Sequence, residues 1–127
     1  MDFGILLAVA VGGAFGSVAR YLLAGVIQPA GSNFNWGILA VNVLGGFVMG
    51  VIVEGSALRW NLAPELRAFL TVGILGGFTT FSTFSLDSVL LLQRGAYAAA
   101  AGYIGGSVVL SILALFAGLY VVRAIYA

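Results

Sequence analysis

The stretch from Gly76 to Ser85, Gly-Gly-Phe-Thr-Thr-Phe-Ser-Thr-Phe-Ser, holds the densest set of side chains able to do chemistry. Phenylalanine recurs at every third position, with hydroxyl residues between. On a continuous helix this spacing lays Phe78, Phe81 and Phe84 along one slowly drifting face. One reading is packing against lipid or protein. The other uses the positive edge of the phenyl ring, which favours an anion while its bulk keeps a path narrow; Ser82, Thr83 and Ser85 then supply hydroxyl donors alongside. Such groups solvate an ion but break no bond.

Three further residues stand out against an apolar background. Asn42 is a lone amide inside an apolar run, where it must hydrogen-bond to a neighbouring helix or to a permeating species that its N–H groups can solvate. Arg20 carries a charge that costs about 2.5–3.5 kcal/mol at a bilayer centre. It either snorkels to the headgroups or sets a positive potential at the mouth of an anion path. Asp87 lies toward the end of the third apolar run and suits a capping or interfacial role.

Composition narrows the chemistry. The chain has no cysteine, histidine or lysine, which removes disulfides, thiolate catalysis, imidazole switching and most zinc sites. A net charge of +1 gives no nucleic-acid footprint. No Ser-His-Asp, Cys-His, paired-carboxylate or phosphate-cradling arrangement is present, so an enzyme is not expected.

The elements that must position these residues follow from solvent. With 62% hydrophobic and 7% charged residues, far below the roughly 25% charge of a soluble domain, the chain suits a bilayer. A span needs roughly 20 apolar residues, and the charged residues cut the sequence into four such stretches, about 3–27, 36–53, 66–92 and 96–122. The fold class is therefore all-α: a single four-helix transmembrane domain over 1–127. The N-terminal run reads as a span and not as a cleaved signal. The segments 28–35 and 54–66 read as loops. In the third span the Gly, Ser and Thr content predicts a broken helix; because bare backbone is forbidden at that depth, the break must line something. Four small-residue pairs, Gly12–Gly16, Gly46–Gly50, Gly73–Gly77 and Gly102–Gly106, let backbones approach closely within one chain or between two.

The arginines divide almost evenly between the two ends. Arg59, Arg67 and Arg123 share the end of the termini, against Arg94 and Arg20 at the other. Orientation is fixed by a clear basic excess on one side, and none exists. Insertion both ways up is therefore expected, which permits an antiparallel homodimer with its two-fold axis in the membrane plane.

At these residues the chain resembles the Fluc family of small bacterial fluoride channels. The likeness rests on GSVARY around Arg20, VNVLGG around Asn42, and above all GGFTTFSTFS from Gly76 to Ser85 with LLQRG following; it covers essentially the whole chain. It implies a passive channel of the cell membrane, working as a dual-topology antiparallel homodimer with two fluoride pores that both copies line. Phe81 and Phe84 match the pore phenylalanines, Asn42 the pore amide, Arg20 the vestibule arginine, and Ser82 with Thr83 the hydroxyl track. Tyr103, Ser107 and Ser111 fall where further polar pore positions lie. Gly76 and Thr79 match positions whose backbone carbonyls hold a central sodium ion. Phe78 stands where leucine is common, and Asp87 where glutamate is. The alternative is a small dimeric proton-coupled exporter, which would want a carboxylate deep in the first two spans; the spans as drawn contain none.

The near-even division of arginines yields the first test. Reporters fused to the termini are expected to read out on both sides of the membrane; a single orientation for all copies would rule out the antiparallel arrangement.

Overall fold

The computed structural model describes residues 2–127, which are helical apart from short connections and the break in the third crossing. Among the described residues four helical stretches are long and apolar enough to cross a bilayer: Phe3–Ile27, Trp36–Leu58, Pro64–Gln93 and Tyr97–Tyr126.

Helix α1 (Phe3–Ile27) starts at Asp2, whose carboxylate accepts from the Gly4 N–H at 2.7 Å and satisfies one of the free donors of the first turn. The chain turns through Gly31, whose φ of +78° favours glycine. Helix α2 (Trp36–Leu58) is capped by Asn35, whose Oδ1 accepts from the Ile38 N–H at 3.1 Å.

Helix α2 runs five residues beyond the expected end at 53. Glu54 stays inside the helix because Arg123 Nε donates to its Oε2 at 2.9 Å, and Gly55 leaves room for the Trp60 ring. The segment expected as a long loop thus shrinks to the residues between Leu58 and Pro64. The second span therefore does contain a carboxylate, contrary to expectation, but at its terminal end and already paired.

The third crossing begins at Pro64, two residues earlier than expected, with proline at a position whose missing N–H costs nothing. It comprises α3 (Pro64–Ala68), a π-helical segment (Phe69–Leu75), α4 (Gly76–Phe78) and, after a break, α5 (Phe81–Gln93). The break falls inside the Gly/Ser/Thr run, as the sequence predicts. Thr79 and Thr80 are extended, with ψ of 157° and 125°. The π segment has no counterpart in the sequence reading.

Helix α6 (Tyr97–Tyr126) continues four residues beyond the expected end. Trp60 Nε1 donates to the Tyr126 hydroxyl at 2.9 Å, and the Arg59 guanidinium lies 5.2 Å from the centre of the same ring. This belt of aromatic and basic side chains suits a headgroup boundary.

Interior packing is backbone against backbone. On α1, a Cβ at Gly12 or Gly16 would run into the carbonyls of Phe69 and Ile74, and one at Gly77 would meet the Gly13 carbonyl at 2.7 Å. Gly46 and Gly50 lie in the same way against the Ser111 and Leu115 carbonyls of α6. Three of the four predicted small-residue pairs are therefore used within the chain. Around Gly102 and Gly106 there is nothing within 4 Å.

The side-chain core is thin. Val41 and Tyr103 are the largest side chains buried essentially completely among the described residues, whereas Phe15, Tyr21 and Val26 on α1 face outward. This inside-out distribution belongs to a chain solvated by lipid.

Gly16→Ala drives a methyl into the Ile74 carbonyl, which cannot swing aside. Thermal unfolding in detergent should register a loss of about 1–3 kcal/mol. Gly13→Ala, with open space around it, should be neutral or gain up to about 1 kcal/mol from helix propensity.

Candidate functional site

Breaking a helix inside a membrane leaves backbone groups without partners, and the sequence supplies one side chain that answers two of them. Asn42, midway along α2, accepts from the Thr80 N–H at 2.8 Å through Oδ1 and donates through Nδ2 to the Thr80 carbonyl at 3.2 Å. The amide copies the pairing of a neighbouring strand. Thr80 then starts the next helix, its Oγ1 accepting from the Thr83 N–H at 3.2 Å. Of Asn42's two N–H groups one is spent here and one remains.

The consequence for Gly76 and Thr79 is direct. In an unbroken helix their carbonyls would accept from residues 80 and 83; the Thr80 N–H is committed to Asn42 and the Thr83 N–H to the Thr80 hydroxyl. Two hard carbonyl oxygens at the break are thus without their helical donors, and Gly76 is exposed. This donor set suits a hard cation such as sodium.

Beside the break lies a groove of about 370 Å³. Asn42, Gly45 and Met49 line one wall, Thr79, Thr80, Phe81 and Phe84 another, and Ser107 and Ser111 of α6 the third. No charged side chain lines it. The Phe81 and Phe84 rings are neighbours, their centroids 5.5 Å apart, and Phe81 is 77% exposed. The Ser107 hydroxyl is buried and has no hydrogen-bond partner among the described residues, so it is a polar group awaiting water or an ion. The first turn of the thirteen-residue α5 opens at the same place and brings the positive end of its dipole.

Not every expected residue gathers there. The break takes Phe78 out of the phenylalanine stripe: it is buried against Ile38 and Val41, because Thr79 and Thr80 interrupt the helical spacing. Arg20 and Thr83 line a second cavity, of about 420 Å³, with Tyr21, Gln28 and Asn35. Ser82 is exposed and lines neither cavity. Ser85 spends its hydroxyl on the Phe81 carbonyl at 2.9 Å. Tyr103 is fully buried behind Phe84, ring centroids 5.6 Å apart.

Thr80 does not stand out in the sequence, and Asp87 stands out there for a different role. Thr80 carries both ends of the clamp and caps α5; its signal is a threonine three positions before Thr83 inside the Gly/Ser/Thr run. Asp87 caps no helix. Its Oδ2 accepts from the Tyr103 hydroxyl and from Asn35 Nδ2, each at 2.9 Å, tying α5 to α6 and to the start of α2. No spacing within one segment could reveal contacts between residues so far apart in the chain.

Among the described residues no group of histidine, cysteine or carboxylate side chains could hold a metal ion, and the groove presents no nucleophile beyond unactivated hydroxyls. What it offers is solvation: an amide, hydroxyls, phenyl rings and a helix N-terminus, groups able to solvate an anion.

Removing the clamp should therefore be costly. Asn42→Leu strands the Thr80 N–H and carbonyl, at about 1–3 kcal/mol for each orphaned group. Melting in detergent should show a loss of that order, and an unchanged melting temperature would mean that the break holds itself open without Asn42.

Comparison with known proteins supplies a family. Residues 7–119 match the family described as CrcB-like protein, Camphor Resistance (CrcB). A protein of Agrobacterium fabrum named fluoride-specific ion channel FluC is 55% identical over 93% of this chain and 95% of its own. Its namesake in Rhodospirillum centenum is 54% identical over 94% and 95%, and that of Nitrobacter winogradskyi 52% identical over 98% and 100%. With four apolar crossings and a match spanning nearly its whole length, the chain belongs to the CrcB/Fluc family of multi-pass bacterial membrane proteins, a family of ion channels and not of enzymes.

Proposed function

We propose that this chain is a passive fluoride channel through which the ion leaves the cell down its electrochemical gradient, formed by two antiparallel copies with two pores. The observation that carries the reading is that one uncharged groove gathers the Phe81 and Phe84 rings, the Asn42 amide and Ser107, whose buried hydroxyl has no partner among the described residues. The names borne by relatives at 52–55% identity give the ion.

Fluoride is small and strongly hydrated, so a pore must replace its water with several donors at close range, yet hold it weakly enough to release it. The amide of Asn42, the hydroxyls of Ser107 and Ser111, the ring edges of Phe81 and Phe84 and the first turn of α5 supply moderate donors. Tyr103 backs Phe84. Arg20, with Thr83, forms a vestibule that attracts the anion without trapping it, and Ser82, exposed and next to Thr83 in the chain, extends the hydroxyl track.

A second copy completes the assembly. Phe81 is largely exposed and a side chain at Gly102 or Gly106 would have open space among the described residues, so the groove and α6 offer surface to a partner. The carbonyls of Gly76 and Thr79, with those of the partner, hold a structural sodium ion between the copies. When bound, it supplies a fixed positive charge and satisfies oxygens that the break has stripped of donors.

No titratable side chain lines the groove, which speaks against a proton-coupled exporter. Protein in fluoride-loaded liposomes is expected to discharge them rapidly once an ionophore balances charge, and to leave chloride-loaded liposomes full. A requirement for a pH gradient would favour the exporter, and no flux would overturn both. Phe81→Ile or Phe84→Ile should slow fluoride efflux by about tenfold or more, a barrier change of roughly 1.4 kcal/mol, with the dimer intact on size-exclusion chromatography.

A further inference from the structure

Aromatic rings form a continuous stack from the α1–α2 connection to the groove. Phe34 meets Tyr103 edge-on, centroids 5.1 Å apart at 89°; Tyr103 lies 5.6 Å from Phe84, and Phe84 5.5 Å from Phe81. Trp36 continues the stack outward, 4.4 Å from Phe34. Rings at these separations and angles constrain one another's orientation.

The outer end of this stack is held unusually firmly for a connection. The Phe34 carbonyl accepts from Gln28 Nε2 at 3.0 Å, Ser32 Oγ at 3.2 Å and the Trp36 N–H at 2.9 Å, and the Phe34 N–H donates to Ser32 Oγ at 3.3 Å. Gln28 also accepts from the Gly37 N–H at 3.1 Å, so it binds the loop to the start of α2. The middle of the stack is held from the side by Asp87, which accepts from Tyr103. Connecting loops are ordinarily the mobile part of a fold. Here one is pinned, and it aims a ring at the side chain behind Phe84.

We propose that Phe34 is a positioning residue for permeation: through Tyr103 it fixes the orientation at which Phe84, and through it Phe81, present their edges to the ion. It touches no ion itself. The inference rests on the fluoride-channel reading above, because only ring orientation in a conducting groove gives Phe34 a measurable effect on flux.

The test is fluoride efflux from liposomes with Phe34→Leu, Phe34→Tyr, Phe84→Ile and the Phe34→Leu/Phe84→Ile double variant. Phe34→Leu should lower efflux roughly 3- to 10-fold, the bias that one ring pair exerts on an orientation, and Phe34→Tyr should restore it. Because Phe34 acts through Phe84, the double variant should be no slower than Phe84→Ile alone. Should Phe34→Leu fail to assemble, Phe34→Met, which fills similar space without a ring, takes its place. Wild-type efflux in the ringless variant, or losses that multiply in the double variant, would overturn the proposal. Absence of fluoride efflux from the unmodified protein would instead overturn the channel reading.

Discussion

A bilayer offers no water to a bare peptide group, and the whole arrangement around the third crossing follows from that. Breaking the helix at Thr79 and Thr80 would leave several N–H and C=O groups in a medium where each costs several kcal/mol. One amide, Asn42, takes a donor and an acceptor at once, and one hydroxyl, Thr80, takes a third group. The carbonyls of Gly76 and Thr79 keep oxygen lone pairs without helical donors. The break is thus stable enough to exist and incomplete enough to bind something.

This clamp works only if α2 and the third crossing are held in register, and side chains contribute little to that. The glycines on α1, α2 and the third crossing bring backbones to the limit of contact, where dispersion and Cα–H···O contacts act over many atoms. Between helices in lipid there is no hydrophobic gain to draw on, so close approach is the available source of stability. A large apolar core would be redundant, and among the described residues only small clusters around Val41 and Tyr103 are found.

Much of this was legible in the sequence, and the reason differs by feature. Apolar runs of bilayer length expose the four crossings because lipid imposes one requirement on every span. The break was readable because Gly, Ser and Thr compete with helical bonding locally. The ends of α2 and α6 were not, since Glu54 and Tyr126 stay helical through partners, Arg123 and Trp60, that lie 69 and 66 residues away in the chain. Phe78 was misplaced because a periodicity argument assumes an unbroken helix, and the break resets the phase. The hub at Asp87 was hidden for the same reason as the helix ends: one carboxylate in a sequence says nothing about which distant hydroxyl and amide it will meet.

The placement of Asp87 also bears on what the groove can do. A free carboxylate near the rings would repel an anion, and a buried arginine would hold one too long. Instead, the carboxylate is turned to Tyr103 and Asn35, where two donors occupy a single oxygen, and Arg20 lines a separate cavity with Thr83. The groove itself keeps only neutral donors and ring edges. On the fluoride-channel reading, charge holds the scaffold and sets the potential at the approach, while dipoles alone remain where an ion would pass. In such a channel that division would let a strongly hydrated ion enter with partial replacement of its water and leave again, since no single contact along the way would be strong enough to hold it.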